Sequence, residues 1–161
     1  MQNNKTLIVY FSYTGNTKKI AEKIKEYLKC DILELQTIKP YSTDYQTVVD
    51  EEQNNESLSK TPKIKDININ LNNYDVIILG TPVWWYTIAP AIRTFLKQND
   101  LTEKTIIPFA TNAGWLGRTF KEIGSLCPNS KIQMEMNIVF ESYSDKLITP
   151  ETEIKNWIKS I

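Results

Sequence analysis

The sequence predicts an α/β fold, a parallel β-sheet with helices packed on both faces. Short apolar runs rich in β-prone residues recur without polar alternation, as strands covered on both faces require. Between them stand segments whose apolar residues repeat at helical spacing. This regular alternation of strand and helix implies right-handed crossovers within one sheet.

Each element follows from its local pattern. "TLIVYF" (6–11) is the first strand, and Ile20, Ala21, Ile24 and Leu28 mark the apolar face of the helix after it. "DILEL" (31–35) is the second strand. "YDVIILG" (74–80) is the third, ended by Gly80. "PAIRTFLK" (90–97) opens with a proline suited to a first helical turn. "KTIIPFAT" (104–111) is the fourth strand, followed by a helix over 117–126. "KIQMEMNIVF" (131–140) alternates and reads as the fifth. "TPETEIKNWIKSI" closes the chain as a helix, with Thr149 as N-cap and Pro150 at the first helical position.

The stretch 36–73 is less regular. "STDYQTVVDEEQ" (42–53) reads as a short helix capped by Ser42 or Thr43, and "NNESLSKTPK" (54–63) as a loop. "IKDININL" (64–71) alternates, but asparagine is a poor strand former, so it is expected outside the sheet.

Composition narrows the function. A chain of 161 residues suits a single domain spanning 1–161, and 41% hydrophobic residues suffice for a core. Lysine plus arginine and aspartate plus glutamate balance at 19 each, which argues against nucleic acid as a partner. Cys30 and Cys127 form no CxxC pair and histidine is absent, so a zinc site or histidine triad has little to build on. Both cysteines read as structural thiols in a reducing compartment. No apolar run approaches the ~20 residues of a membrane span, and the N-terminus lacks a signal-peptide pattern. The expected location is cytoplasmic, with no membrane partner.

Ligands in open α/β sheets sit beyond the carboxyl ends of the strands. "SYTGNT" (12–17) stands at such an end and at a helix start, where free N–H groups and the helix dipole favour an anion. Ser12, Thr14 and Thr17 offer hydroxyls, Asn16 an amide, and Gly15 close backbone approach. A plain capped turn is the alternative. The P-loop pattern GxxxxGK[ST] and the dinucleotide pattern GxGxxG are both absent, so a single terminal phosphate is the better match.

The third strand runs into "GTPVWWYT" (80–87). Trp84 and Trp85 after Pro82 are placed to cover a flat ring, unless they pack the next helix onto the sheet; one ring is expected inward and one near the ligand. The fourth runs into "ATNAGWLGRT" (110–119). There Thr111, Asn112, Ala113 and Gly114 give a small polar loop able to meet a heterocycle's edge, with Trp115 beside it. Together these loops describe a site for a planar heterocycle with a monophosphate tail. Charges such as Asp75 and Arg93 are expected to be structural, and neither a catalytic acid–base residue nor a metal is expected.

"FSYTGNT", "YDVIILGTPVWWYTIAPAIRTFL" and "TIIPFATNAGWLGRTFKEI" resemble the flavodoxin family, especially its short branch bearing PxWW, over nearly the whole chain. The resemblance implies a flavodoxin-like three-layer sandwich with a five-stranded parallel sheet of order 2-1-3-4-5, non-covalent FMN and redox function. It implies that Ser12, Thr14, Gly15, Asn16 and Thr17 hold the FMN phosphate. Thr81, Pro82, Val83, Trp84 and Trp85 would line the isoalloxazine, and Thr111, Asn112, Ala113, Gly114 and Trp115 its other side. The chain departs from long-established flavodoxins in being neutral rather than strongly acidic, and "NAGWLG" replaces a glycine-richer loop. The segment 41–60 also resembles the branch and is a candidate lid or partner surface.

In this reading FMN performs the chemistry and the protein supplies position and electrostatics. The expected function is electron transfer to redox partner proteins or a small-molecule acceptor. The alternative is an NAD(P)H-dependent flavin or quinone oxidoreductase. A phosphoacceptor domain would need acidic residues where Phe11, Ser12, Gly80 and Thr81 stand. A module that has lost FMN would stay colourless.

Overall fold

The computed structural model describes residues 5–53 and 60–161, so part of the loop expected at 54–63 lies outside the described residues. In chain order the elements are β1 (Thr6–Tyr10), α1 (Asn16–Leu28), β2 (Asp31–Glu34), α2 (Tyr45–Glu52), β3 (Val76–Trp84), β4 (Thr87–Ile88), α3 (Pro90–Gln98), β5 (Thr105–Asn112), α4 (Thr119–Leu126), β6 (Lys131–Ile132), β7 (Met136–Val139) and α5 (Glu151–Ser160). The sheet runs β2-β1-β3-β5-β6, all in parallel. β7 also pairs in parallel with β5, further along it, and β4 folds back antiparallel on the end of β3. With β4 set aside and β6 and β7 taken as one interrupted strand, the order is the expected 2-1-3-4-5.

Side-chain alternation explains why these strands are apolar throughout. Leu7, Val9, Ile77, Leu79 and Ile106 point to one face, where they pack with Ile92 and Phe95 of α3 and Ile123 of α4. Ile8, Ile78, Ile107 and Phe109 point to the other, against Ile20 and Ile24 of α1 and Ile154 and Trp157 of α5. The sheet therefore separates two apolar layers, and strands of the central β1 and β3 type contribute to both.

Several local expectations are corrected. Gly80 does not end the third strand, which continues to Trp84. Its role is steric: a Cβ there would lie 2.3 Å from the Phe109 ring of the neighbouring strand. The fifth strand is interrupted at Met134, whose φ of 58° is left-handed and whose carbonyl accepts the Trp157 indole N–H at 2.6 Å. α2 takes Asp44 as its N-cap, and the Ser42 hydroxyl instead accepts the Asp44 N–H at 3.1 Å. α4 begins at Thr119 because Gly117 has φ 57°. Pro150, not Thr149, caps α5; the Thr149 hydroxyl accepts the Val139 N–H at 2.7 Å and ties that helix to β7.

Other expectations match. Ile64 forms only an isolated bridge with Thr37, so 64–71 stays outside the sheet. Pro90 opens α3. The charges at Asp75 and Arg93 are structural: Asp75 accepts the Lys5 N–H, and Arg93 pairs with Glu122. Both cysteines are free thiols, and burial pushes that of Cys127 up to about 11.

Candidate functional site

A cleft of about 880 Å³ opens beyond the carboxyl ends of the strands, walled by the loops after β1, β3, β5 and β7 and by α2. The loop after β1 turns into α1 at Gly15, which is the N-cap with φ 102°. That left-handed conformation favours glycine, and a Cβ there would meet nothing within 4 Å, so the backbone faces open space. No side chain caps the helix from the Gly15 position, and its first turn holds no acid. The Ser12 hydroxyl accepts the Lys18 N–H at 3.2 Å. The N–H groups at the start of α1 thus gather around the turn with the positive end of the helix dipole.

The residues of this turn divide between wall and support. Thr14 and Asn16 line the cleft. The Asn16 amide donates to the Ser144 carbonyl at 3.0 Å, linking the start of α1 to the loop after β7. Thr17 is buried, and its hydroxyl bonds that of Thr111 at 2.7 Å. Of the expected phosphate donors, Ser12 and Thr17 therefore spend a hydrogen bond on holding the turn.

The aromatic segment is a hairpin rather than a loop. β3 reaches Trp84, and the chain returns as β4 from Thr87, opposite it. Trp85 and Tyr86 form the two-residue turn with φ 53° and 65°, the type I′ geometry usually given to Asn-Gly. Large aromatics there are strained, and the surroundings hold them. The Tyr86 carbonyl accepts the Arg118 N–H at 2.7 Å, and a Cβ on Gly117 would lie 2.2 Å from that oxygen. Thr81 is buried behind the hairpin, donating to the Pro82 carbonyl and accepting the Ala89 N–H. The Thr87 hydroxyl donates to Glu122.

Glu122 in turn accepts from Arg93 at 2.5 and 3.1 Å. Burial would raise the Glu122 carboxyl, but hydrogen bonds from Arg93 and Thr87 and the charges of Arg93 and Arg118 hold it below the usual carboxylate range. A buried ion pair between α3 and α4 thus anchors the base of the hairpin.

Pro82, Val83, Trp84 and Trp85 all line the cleft. Trp84 also packs edge-on against Tyr41 at 5.0 Å, Phe11 at 5.8 Å and Tyr13 at 5.9 Å. Trp84 is thus packed inward against the core aromatics, while Trp85 stands in the turn, and both rings also line the cleft.

Thr111 and Asn112 at the end of β5, and Ala113 and Trp115 in the loop after it, reach the cleft. Gly114, with φ 116°, donates its N–H to the Asn112 side chain at 2.8 Å and closes the turn. The Asn112 amide also donates to Asn137 of β7 at 2.6 Å. Of the residues named from sequence, Ser12, Gly15, Thr17, Thr81 and Gly114 shape the wall from behind rather than forming it.

Two further parts of the wall lie outside the residues named for the ligand, the first of them within the 41–60 segment, a candidate lid or partner surface, the second not foreseen. α2 contributes Tyr45, Val48 and Glu52, and the 141–145 loop contributes Tyr143, Ser144 and Asp145. They meet where Tyr45 and Tyr143 pack edge-on at 5.5 Å. The signal for the second was present: "ESYSD" is as polar and hydroxyl-rich as the first loop and directly follows the fifth strand.

None of the curated proteins compared matches the chain. Among solved structures, a Bacteroides eggerthii protein described as a flavoprotein is 28% identical, with TM-score 0.78, covering 99% of this chain and 98% of its own. A Lactobacillus acidophilus flavoprotein, solved in complex with FMN, is 27% identical with TM-score 0.73, covering 96% and 98%. Flavodoxin 2 of Bacillus cereus, at 20% identity, TM-score 0.57 and coverage of 97% and 94%, shares the fold. The flavodoxin family model matches residues 5–161, and the chain belongs to the flavodoxin family.

Proposed function

We propose that this protein binds FMN non-covalently in the cleft and passes electrons through it. The observation that carries the reading is the start of α1 at Gly15, which has no side-chain cap of its own, stands between the cleft-lining Thr14 and Asn16 and is free of acidic residues in its first turn. That is the donor set a phosphate monoester needs. The relative solved with FMN supports the same ligand.

The residues fit the group. The backbone around Thr14, Gly15 and Asn16 would hold the phosphate, with the Thr14 hydroxyl beside it. Trp84 and Trp85 on one wall and Thr111, Asn112 and Ala113 on another would border the ring. When bound, FMN supplies the one- and two-electron chemistry. The chain's own residues bind it, orient it and exclude water. The Arg93–Glu122 pair and Gly117 act at a distance by fixing the hairpin that carries Trp84 and Trp85.

A carrier is preferred to an NAD(P)H oxidoreductase because no lysine or arginine lines the cleft among the described residues. A dinucleotide's phosphates would find no cationic partner there. An absorption spectrum of the purified protein, followed by FMN titration, tests the cofactor. Steady-state NAD(P)H oxidation by the loaded protein tests the rest: slow or absent turnover is expected, and rapid turnover would establish the enzyme instead.

A further inference from the structure

α2 is held differently from the other helices. Among the described residues, none of its side chains belongs to either apolar layer of the sheet. Tyr45, Val48, Val49 and Glu52 fall on one face at helical spacing, and that face lines the cleft instead. A helix of eight residues has little stability of its own, so the contacts at its ends matter. Before its start, the Tyr13 hydroxyl donates to the Ser42 carbonyl at 2.5 Å, and the Tyr45 ring meets those of Tyr13 and Tyr143. At its last residue, the Glu52 carboxylate lies 3.7 Å from the Lys60 ammonium.

Lys60 is itself tied down. Its carbonyl accepts the Arg93 Nη1–H at 3.1 Å, and two residues on, the Pro62 carbonyl accepts the Thr94 hydroxyl at 2.7 Å. Both donors are buried residues of α3, so the chain at 60–62 is pinned to the core. The same guanidinium holds Glu122, which accepts from Thr87 at the base of the aromatic hairpin. Two walls of the cleft therefore lead back to one buried arginine, the hairpin through Glu122 and α2 through Lys60. The hairpin also has the backbone pairing of β3 with β4 to shape it. α2 has no such pairing and no place in the apolar layers, so its link to Lys60 weighs more.

We propose that Lys60 is a positioning residue of the cleft: anchored by Arg93 through its carbonyl, it draws Glu52 with its ammonium, fixes α2 along the cleft and so slows release of the ligand. This role at the site rests on FMN occupying the cleft. The Glu52 side chain is 9% exposed and that of Lys60 41%, so the attraction is screened less than between two surface charges. Removing the ammonium has two consequences, a freer α2 and an unbalanced carboxylate in a wall near a phosphate. A second substitution separates them.

The experiment is amide hydrogen exchange of the full chain, read by mass spectrometry, with FMN release followed by flavin fluorescence anisotropy after dilution. In unloaded Lys60→Met, residues 45–52 are expected to exchange about threefold or more faster than in the parent, and α3 to change by less than about twofold. Loaded Lys60→Met is expected to release FMN about threefold or more faster. Lys60→Arg keeps the charge and is expected to stay within about twofold of the parent in both measurements. Lys60→Met combined with Glu52→Gln removes the unbalanced charge, and it is expected to release FMN as fast as Lys60→Met alone.

Unchanged exchange over 45–52 in Lys60→Met, a Lys60→Arg that behaves like Lys60→Met, or parent-like FMN release from the double variant would each overturn the proposal. A parent that binds no FMN would overturn the functional reading instead. Exchange in the unloaded chain then still decides whether Lys60 holds α2.

Discussion

The hydroxyls of Thr17, in the first turn of α1, and Thr111, at the end of β5, meet at 2.7 Å with both residues buried. This bond joins the first loop of the site to the third through the interior. Each hydroxyl is the other's hydrogen-bond partner, so Thr17→Val leaves the Thr111 hydroxyl buried without it. The expected loss is about 1–3 kcal/mol of stability, whereas the double change Thr17→Val with Thr111→Val is expected to be nearly neutral. Urea unfolding of both single variants and the double variant checks this. Additive losses would mean that the two hydroxyls act independently.

Gly117 holds the aromatic hairpin by what it lacks. Its φ is 57°, and a Cβ would lie 2.2 Å from the Tyr86 carbonyl oxygen. That atom is backbone, so the clash cannot be relieved by turning a side chain. Gly117→Ala is expected to cost about 1–3 kcal/mol and to move Trp85 and Tyr86. A shifted tryptophan emission maximum with retained far-ultraviolet dichroism, together with weaker FMN binding, is the expected signature. An unchanged emission spectrum would show that Gly117 does not position the turn.

The Arg93–Glu122 pair predicts an acid-side dependence. The folded Glu122 carboxyl titrates below its ordinary value of 4.5. Its contribution is therefore fully present above that value and is lost as pH falls through the folded one. Glu122→Gln is expected to flatten the stability profile over this acid range. Arg93→Met strands Glu122 without its main partner and is expected to cost about 3–5 kcal/mol. Thermal melts from neutral to acid pH compare the variants with the parent. A parent-like acid limb in Glu122→Gln would assign the dependence to other carboxylates.

What could be read from the sequence follows from the range of the forces involved. The buried strands were legible because a sheet covered on both faces demands continuous apolar runs, as at Leu7 to Val9 and Ile77 to Leu79. The loops at the strand ends were legible by chemistry, from hydroxyls at the first and tryptophans at the second. The hairpin was not: Trp85 and Tyr86 carry none of the Asn-Gly signal, and the turn exists because Arg118, Gly117 and the Glu122 network fix it from outside. The break at Met134 is similar, since the indole of Trp157 that accompanies it comes from the last helix. α2 was read as a helix within a candidate lid or partner surface, but the contact of Tyr45 with Tyr143 at the cleft has no local trace.

Asn16 separates steric from electrostatic roles at the turn. Its amide donates to the Ser144 carbonyl at 3.0 Å and its side chain lines the cleft. Asn16→Ala removes that donor alone, whereas Asn16→Asp also sets a negative charge against a carbonyl and, in the proposed function, near a phosphate. The lost bond to the neutral Ser144 carbonyl is worth about 0.5–1.5 kcal/mol in either variant, and repulsion between the new carboxylate and the phosphate adds to it, so Asn16→Asp is expected to weaken FMN binding by about tenfold or more and Asn16→Ala by less. The part due to repulsion is screened by salt and the part due to the lost donor is not. Raising the salt concentration to about 1 M is therefore expected to restore part of the affinity of Asn16→Asp and little of that of Asn16→Ala. Equal salt responses in the two variants would mean that the bound phosphate lies away from the start of α1.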